Sequence, residues 1–201
     1  MSLHRIPALA LAGAAFAMLI GHPDLAAADP RGSTPETLRA FQRAKQPTDV
    51  LDGRFAEHLQ ITDSRRIATY VDRRGRRATL YVAKSRLGPC QVLVRSSPPG
   101  GIGGGGGGCS PRADFLGRGR HIAASSGRLF AGVVSNEIAR VVIVGSRGVR
   151  HPVRVTTDGG FIYDCRAYNG CAGLIACVEA YAGDGGFLSG QAWGPGGCRR
   201  R

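Results

Sequence analysis

The chain has 201 residues, and its 27 Lys and Arg against 14 Asp and Glu give a formal net charge of +13 at pH 7. This length provides one domain with a hydrophobic core. Beyond the first 28 residues no apolar run approaches the roughly 20 residues of a spanning helix, which argues against an integral membrane span in the mature chain.

Residues 1–28 have the pattern of a cleavable signal peptide. Arg5 supplies a positive charge, residues 6–20 carry no charge and are apolar apart from one glycine, and the helix breakers Gly21 and Pro23 follow. Residues 26–28 are three alanines, which suit signal peptidase. An uncleaved N-terminal anchor is the alternative. The prediction is a secreted, extracytoplasmic protein.

The positive charge is nearly all arginine, because Lys45 and Lys84 are the only lysines. One interpretation is functional, since a basic surface attracts polyanions such as nucleic acid, anionic glycopolymers or acidic lipid headgroups. The other is the coding bias of a GC-rich genome, which explains arginine in place of lysine but not the shortage of acids. The sequence leaves both open.

Residues 29–60 are predicted to form a helical N-terminal segment. Ser33-Thr34-Pro35-Glu36 is a helix start signal, and Pro47 is expected to end the first helix. A second short helix is predicted over residues 50–59. Neither has enough apolar surface to be stable alone, so both are expected to pack on the β-rich domain predicted for residues 61–192.

Alternating residues between 67 and 83 predict a β-hairpin. Its tip carries the densest internal charge cluster of the chain, which is Arg73, Arg74, Arg76 and Arg77. A solvated turn is the simpler interpretation of this cluster, and a binding surface is the alternative. A third strand is predicted over residues 91–95.

Residues 96–108 are of low complexity and end in six glycines, which predicts a mobile loop. They do not form a phosphate-binding loop, because no Lys-Ser or Lys-Thr follows the glycines. A short helix is predicted to start at Ser110-Pro111.

Residues 128–192 contain short apolar runs separated by turn signals, with strands predicted over 129–134, 138–144, 153–155, 161–163, 175–181 and 187–191. The connections are too short for helical crossovers, so the sheets are expected to be antiparallel. The predicted fold is mainly β with a short N-terminal helical region, as an antiparallel β-sandwich or partly open barrel. Residues 193–201 form a basic tail.

Six cysteines follow the predicted signal peptide, and an even number in an exported chain indicates disulfides. Sequence alone does not fix their pairing. Local spacing favours a Cys90–Cys109 bond around one loop and a Cys165–Cys171 bond around a turn-like stretch, and Cys177 with Cys198 is then a pairing by elimination.

The order of several segments is similar to that of a known group of proteins. The segments are Cys90-Gln91-Val92-Leu93, the glycine-rich stretch before Cys109-Ser110-Pro111, residues 132–141, and Val178-Glu179-Ala180-Tyr181 before Asp184-Gly185. Together they resemble uncharacterised exported or membrane-anchored actinobacterial proteins, a family of unknown function, over roughly residues 41–188. The resemblance implies an extracytoplasmic setting, a β-rich fold and a Cys90–Cys109 bond. It implies no activity, and Cys177 and Cys198 are outside the pattern.

The search for catalytic chemistry gives no catalytic residue, metal site or cofactor. Cys165, Cys171 and Cys177 are spaced too widely for a typical structural zinc site. No Gly-x-Ser-x-Gly elbow is present. The only histidines available to a hydrolase are His58, His121 and His151, and its carboxylates would come from Asp158, Asp164, Glu179 and Asp184.

Aromatic residues interleaved with arginine bind sugars or single-stranded nucleic acid in many proteins. Tyr168 is expected to be exposed inside the Cys165–Cys171 loop, with Arg166 and Asn169 beside it. Tyr163 and Tyr181 are expected to pack on a sheet. The loop is therefore the first candidate binding surface, and the arginine hairpin is the second.

The predicted function is that of an exported non-catalytic domain, which binds an anionic cell-envelope component or another envelope protein through basic surface. Nucleic acid is not expected as a partner in vivo. The alternative is an exported hydrolase with a His/acid or Cys/His site. A third possibility is a surface domain whose charge has no specific role.

Overall fold

The computed structural model describes residues 37–51, 53–97, 101–110, 116, 120–165, 171, 174–194 and 197–198. The described part of the chain is mainly β, with 54% of its residues in strands and 11% in helices, and its sheets are antiparallel. The predicted fold class is thereby confirmed. The predicted signal peptide and the helix start at Ser33 lie outside the described residues, and none of the described helices is long and apolar enough to cross a membrane.

The N-terminal segment contains helix α1, Arg39–Gln42, and helix α2, Gly53–His58. Between them, Pro47–Asp49 forms a 3₁₀ turn. Pro47 begins this turn, whereas the first helix has already ended at Gln42. The fixed φ of proline and its missing N–H suit the first position of a helical turn, so the residue expected to stop one element starts another.

The described chain contains eleven strands in three sheets. They are β1 Ile61–Val71, β2 Arg77–Ser85, β3 Cys90–Ser97, β4 Gly101–Cys109, β5 His121–Ser126, β6 Leu129–Val134, β7 Arg140–Gly145, β8 Arg150–Arg154, β9 Gly160–Asp164, β10 Ile175–Tyr181 and β11 Phe187–Ala192. The first sheet has the order β1-β2-β3-β4, the central sheet β5-β6-β9, and the outer sheet β11-β10-β7-β8.

The glycine-rich segment is a strand, so the prediction of a loop over residues 96–108 is wrong for Ser96 and Ser97, which end β3, and for residues 101–108, which belong to β4. Strand β4 pairs along its length with β3, and Cys90 lies opposite Cys109, to which it is bonded. A Cβ at Gly105 would lie 2.5 Å from the Leu93 carbonyl oxygen and 2.6 Å from the Phe55 ring. The absence of a side chain at Gly105 allows β3 and the Phe55 ring to approach β4 closely. The pairing with β3 and the Cys90–Cys109 disulfide outweigh the flexibility that a glycine-rich composition predicts.

Strand β6 is buried along its whole length and contributes side chains to two cores. Leu129, Ala131 and Val133 pack against the first sheet, in a core that includes Leu80 and Leu93. Successive side chains of a strand point to opposite faces. Phe130 and Val134 accordingly pack on the other face, against the outer sheet residues Val141, Ile143, Val153, Val178 and Ala180.

The central sheet therefore lies between the first and outer sheets. Strand β1 approaches β9, and β4 approaches β5, so the edges of the first and central sheets meet on both sides. These two sheets form a partly open barrel around one core, and the outer sheet packs on its outside. Strand β5 was not predicted, because its residues are small or polar apart from Ile122 and show no alternation of apolar and polar side chains.

Three disulfides join Cys90 to Cys109, Cys165 to Cys171, and Cys177 to Cys198. This is the pairing that local spacing favoured, including the pair given by elimination. The last bond attaches Cys198, which lies within the predicted basic tail, to β10. The tail also packs through Trp193, whose ring meets Phe130 edge-on at 5.0 Å between centroids. Residues 199–201 lie outside the described part of the chain.

The N-terminal segment is held to the sheets by a buried ion-pair cluster. The side chain of Asp49 is fully buried and accepts two hydrogen bonds from the Arg43 guanidinium, at 2.6 and 2.8 Å. Arg43 also donates to Asp158, in the turn before β9, and to the carbonyl oxygen of Arg66 in β1. One arginine thus connects the segment to both sheets of the barrel.

The pKa of Asp49 is held well below its ordinary value. Burial alone would raise it, but the hydrogen bonds from Arg43 and from the backbone N–H groups of Gln46 and Arg66 outweigh the effect of burial. The folded state therefore favours the ionised carboxylate.

We expect Gly105→Ala to lower the free energy of unfolding by about 1–3 kcal/mol, because the added methyl group collides with a backbone oxygen and the Phe55 ring. Gly108→Ala is the matched control, since a Cβ at Gly108 meets no atom within 4 Å. Urea unfolding of both variants measures the difference. Equal midpoints would contradict the close packing of β4.

Asp49→Asn should lower the free energy of unfolding by about 3 kcal/mol at pH 7, since it breaks a buried ion pair. A carboxyl group with a depressed pKa stabilises the fold above its ordinary pKa, and this stabilisation is lost as pH falls below about 4. The difference between wild type and Asp49→Asn should consequently shrink below pH 4 in chemical unfolding curves. Glu57→Gln on exposed α2 is the control, and a pH-independent difference would refute the explanation.

Candidate binding surface

The predicted arginine cluster lies at the tip of the β1–β2 hairpin, where Asp72 organises the turn. Its carboxylate accepts hydrogen bonds from the backbone N–H groups of Arg74 and Arg76 and forms an ion pair with the Arg76 side chain at 2.7 Å. Desolvation alone would raise the pKa of Asp72, but these hydrogen bonds outweigh it and lower the pKa to about 2. Arg76 is therefore neutralised within the turn.

Arg73, Arg74 and Arg77 are exposed, and within the described part of the chain their side chains form no ion pair or hydrogen bond. We call these three residues the hairpin patch. Of the predicted cluster, the hairpin patch alone presents uncompensated positive charge to solvent.

The first candidate surface, Arg166, Tyr168 and Asn169, lies outside the described residues. The cysteines that bracket it are described, and both Cys165 and Cys171 are buried in the core between the central and outer sheets. The loop is thus closed by a disulfide whose ends belong to that core.

Each carboxylate named above as a candidate for a hydrolase site forms a hydrogen bond or ion pair that stabilises the fold. Asp158 pairs with Arg43 at 2.9 Å, and Asp164 accepts a hydrogen bond from the Tyr70 hydroxyl at 2.5 Å. Asp184 accepts a hydrogen bond from the backbone N–H of Gly186 in its own turn. These contacts fix turns and join sheets.

The three candidate histidines are separated in the fold. His121 begins β5 and is 4% exposed, and neither ring nitrogen has a hydrogen-bond partner among the described residues. Burial lowers its pKa to about 4, so the imidazole is neutral at pH 7. The His151 ring lies 5.6 Å from that of Tyr163, and His58 is exposed at the end of α2.

The Cys/His form of the hydrolase alternative has no thiol available, because all six cysteines are in disulfides. Among the described residues no group of three His, Cys, Asp or Glu side chains is arranged to hold a metal ion.

The outward face of the outer sheet carries a polar network that the sequence did not predict. The Arg150 guanidinium, on β8, reaches across β7 to the carboxylate of Glu179 on β10 and also donates to the Tyr181 hydroxyl at 2.8 Å. The Tyr181 hydroxyl donates in turn to Glu179 at 2.6 Å. The three side chains fix one another's orientation.

This network also determines the charge of its members. Burial alone would raise the pKa of Glu179, but the hydrogen bonds from Arg150 and Tyr181 outweigh it and lower the pKa. Burial and the hydrogen bond to Glu179 raise the pKa of Tyr181. Glu179 is thus ionised at neutral pH, and its charge is compensated by Arg150.

Next to the network, four residues form one row across the four strands of the outer sheet. Arg154 on β8 lies opposite Arg140 on β7, Arg140 lies opposite Tyr181 on β10, and Tyr181 lies opposite Phe187 on β11. The Arg140 guanidinium is 4.6 Å from the centroid of the Tyr181 ring, and the Tyr181 and Phe187 rings meet edge-on at 5.7 Å. We call these four residues the arginine row.

The sequence contains part of the signal for the arginine row. Arg140 and Arg154 each lie next to a buried valine in their strand, and this alternation indicates an outward face. Tyr181 does pack on the sheet as expected, but its exposed side lies beneath Arg140. Strand register, which brings the four residues into one row, cannot be derived from a single sequence.

No protein-family model matches the chain, and comparison with curated proteins and with solved structures finds no match to it. Inference about function therefore starts from the arrangement of the chain's own side chains.

His121 predicts a second pH dependence, distinct from that of Asp49. The unfolded chain takes up a proton as pH falls through about 6.5, whereas the folded chain does so only near pH 4. The free energy of unfolding should therefore fall by about 3 kcal/mol between pH 7 and pH 4. His121→Leu should abolish this fall, as measured by urea unfolding across that range.

His58→Gln is the control, because His58 is exposed and forms no described contact. At pH 7 His121→Leu should cost little stability, since it removes ring nitrogens that lack partners. If His121→Leu retains the full pH dependence, His121 is not the group responsible.

Proposed function

We propose that this chain is an exported, non-catalytic domain that binds an anionic component of the cell envelope, or another envelope protein, through the exposed arginines of the hairpin patch and the arginine row. The single observation that carries the proposal is the unequal use of charge: most described carboxylates are committed to internal contacts, whereas many arginines are not.

The carboxylates that are engaged in ion pairs lie in the N-terminal segment and in the sheets or their connections. Asp49 and Asp158 share Arg43, Asp63 pairs with Lys45 and Arg65, Asp72 pairs with Arg76, and Glu179 pairs with Arg150. Each contact compensates a basic side chain locally. The excess of arginine over acid is consequently carried by other side chains, at the surface.

These side chains are exposed and form no ion pair within the described part of the chain; they are Arg54, Arg73, Arg74, Arg77, Arg86, Arg120, Arg128, Arg140, Arg147 and Arg154. Exposed like charges repel one another and contribute nothing to folding, so a surface on which several of them lie together favours a role in binding. Coding bias explains why arginine is used in place of lysine. It does not explain why these arginines lie apart from the acidic side chains that could pair with them.

Two further observations support the proposal. Disulfides persist in oxidising compartments, so three of them favour an extracytoplasmic site of action. The carboxylates that catalysis would need are engaged in structural contacts, and His121 is enclosed and neutral. The engaged carboxylates and the enclosed histidine favour binding over hydrolysis.

The test is co-sedimentation of the purified mature protein with isolated cell envelopes across a salt series. We expect binding at low salt that weakens steeply as salt rises, because exposed charges are screened. Replacing the hairpin patch by Arg73→Glu, Arg74→Glu and Arg77→Glu together should weaken sedimentation by about tenfold or more.

A triple variant with Glu at Arg54, Arg86 and Arg120 is the matched control, because it changes the net charge equally at exposed positions outside both named surfaces. It should bind nearly as well as wild type. Equal losses in the two triple variants would mean that net charge alone matters, and absence of binding at low salt would refute the proposal.

A further inference from the structure

The arginine row contains a pair of like charges that the fold does not compensate. Arg140 and Arg154 lie directly opposite each other on adjacent strands, on the outward face of the sheet. Directly opposed side chains have Cβ atoms about 5 Å apart, and like charges in this arrangement are destabilising. Among the described residues neither arginine has an acidic partner. The pair therefore leaves two positive charges uncompensated on this face.

The carboxylate that β10 presents on this face is already committed. Glu179 lies one row away on β10, where Arg150 and Tyr181 hold both of its oxygens. The same contacts fix the Tyr181 ring on which Arg140 lies. The network thus keeps Glu179 from neutralising the arginine pair and holds Arg140 in place.

The opposite end of the arginine row is apolar. Phe187 is 54% exposed and is supported edge-on by Tyr181. Four neighbouring strands span about 14 Å, so the arginine row joins a cationic end to a flat apolar surface over that distance. A suitable ligand combines an anionic group with a flat C–H face a short distance away.

We propose that the arginine row is a binding site for an anionic glycan, with an acidic substituent between Arg140 and Arg154 and a sugar ring against Phe187. Arginine presents a planar set of donors that fits carboxylate, sulfate or phosphate oxygens, and the C–H face of a pyranose packs on an aromatic ring. This inference rests on the proposed function and names the ligand class for one of its surfaces.

Single-stranded nucleic acid fits the row less well. Sites for it stack successive bases on several aromatic platforms. In the arginine row Phe187 alone presents a largely exposed ring, since Tyr181 is partly covered by Arg140. A purely acidic peptide such as polyglutamate would use the arginines, but it has no flat C–H face to pack on the ring at the far end.

The test measures binding by calorimetry with four probes: a heparin hexasaccharide, an oligogalacturonate, polyglutamate and oligo-dT. Arg140→Gln and Arg154→Gln should each weaken binding of both glycans by about tenfold, because each removes charge-assisted hydrogen bonds. Phe187→Ser should weaken binding of the glycans by about fivefold or more while leaving polyglutamate unchanged, because only the glycans offer a sugar face.

Arg147→Gln is the matched control, since it removes one exposed charge in the β7–β8 turn, at the other end of the hairpin from Arg140 and Arg154. It should change glycan binding by less than about twofold. Thermal unfolding of each variant verifies that the fold is retained.

Several outcomes would overturn the inference. They are no binding of either glycan, tighter binding of oligo-dT or polyglutamate than of both glycans, equal effects of Phe187→Ser on all probes, or an effect of Arg147→Gln as large as that of Arg154→Gln. If any of these occurs while the wild type still binds envelopes and the hairpin-patch variant binds them more weakly, the proposed function is retained and the arginine row is excluded. Loss of envelope binding under all conditions would instead refute the proposed function itself.

Discussion

The fold depends on the burial of strand β6 on both of its faces. Leu129, Ala131 and Val133 belong to the core of the barrel, and Phe130 and Val134 belong to the core beneath the outer sheet. A strand without a solvent-facing side needs a sheet on each side of it. This requirement orders the three sheets, and it leaves only one face of the outer sheet for contact with solvent.

That constraint explains why polar chemistry concentrates on the outward face of the outer sheet. Strands β7 and β10 must direct Val141 and Ala180 inward to cover β6, so their alternate residues Arg140 and Tyr181 are directed outward. The contact of Arg140 with Tyr181 is therefore a consequence of the same alternation that fills the core. The first sheet offers less, because Phe55 of α2 covers part of it beside β4.

Sequence patterns predicted the elements that local chemistry determines. The β1–β2 hairpin, the strands of the outer sheet and the disulfide spacing all follow from alternation, turn residues and loop length. Strand β4 escaped prediction because its order comes from contacts with Phe55 and β3, which composition does not reveal. The arginine row escaped because it joins residues from four strands, and their register is set by tertiary packing.

The two basic surfaces differ in how firmly the fold holds them, and this difference bears on what each can recognise. In the hairpin patch, Asp72 fixes the turn backbone, while Arg73, Arg74 and Arg77 extend freely into solvent. Such side chains lose rotamer entropy on binding and attract anions with little regard to shape. In the arginine row, Tyr181 is fixed by two hydrogen bonds and in turn supports Arg140 and Phe187. A fixed surface loses less entropy when it binds, so selectivity among anionic ligands is expected from the arginine row, and long-range attraction from the hairpin patch.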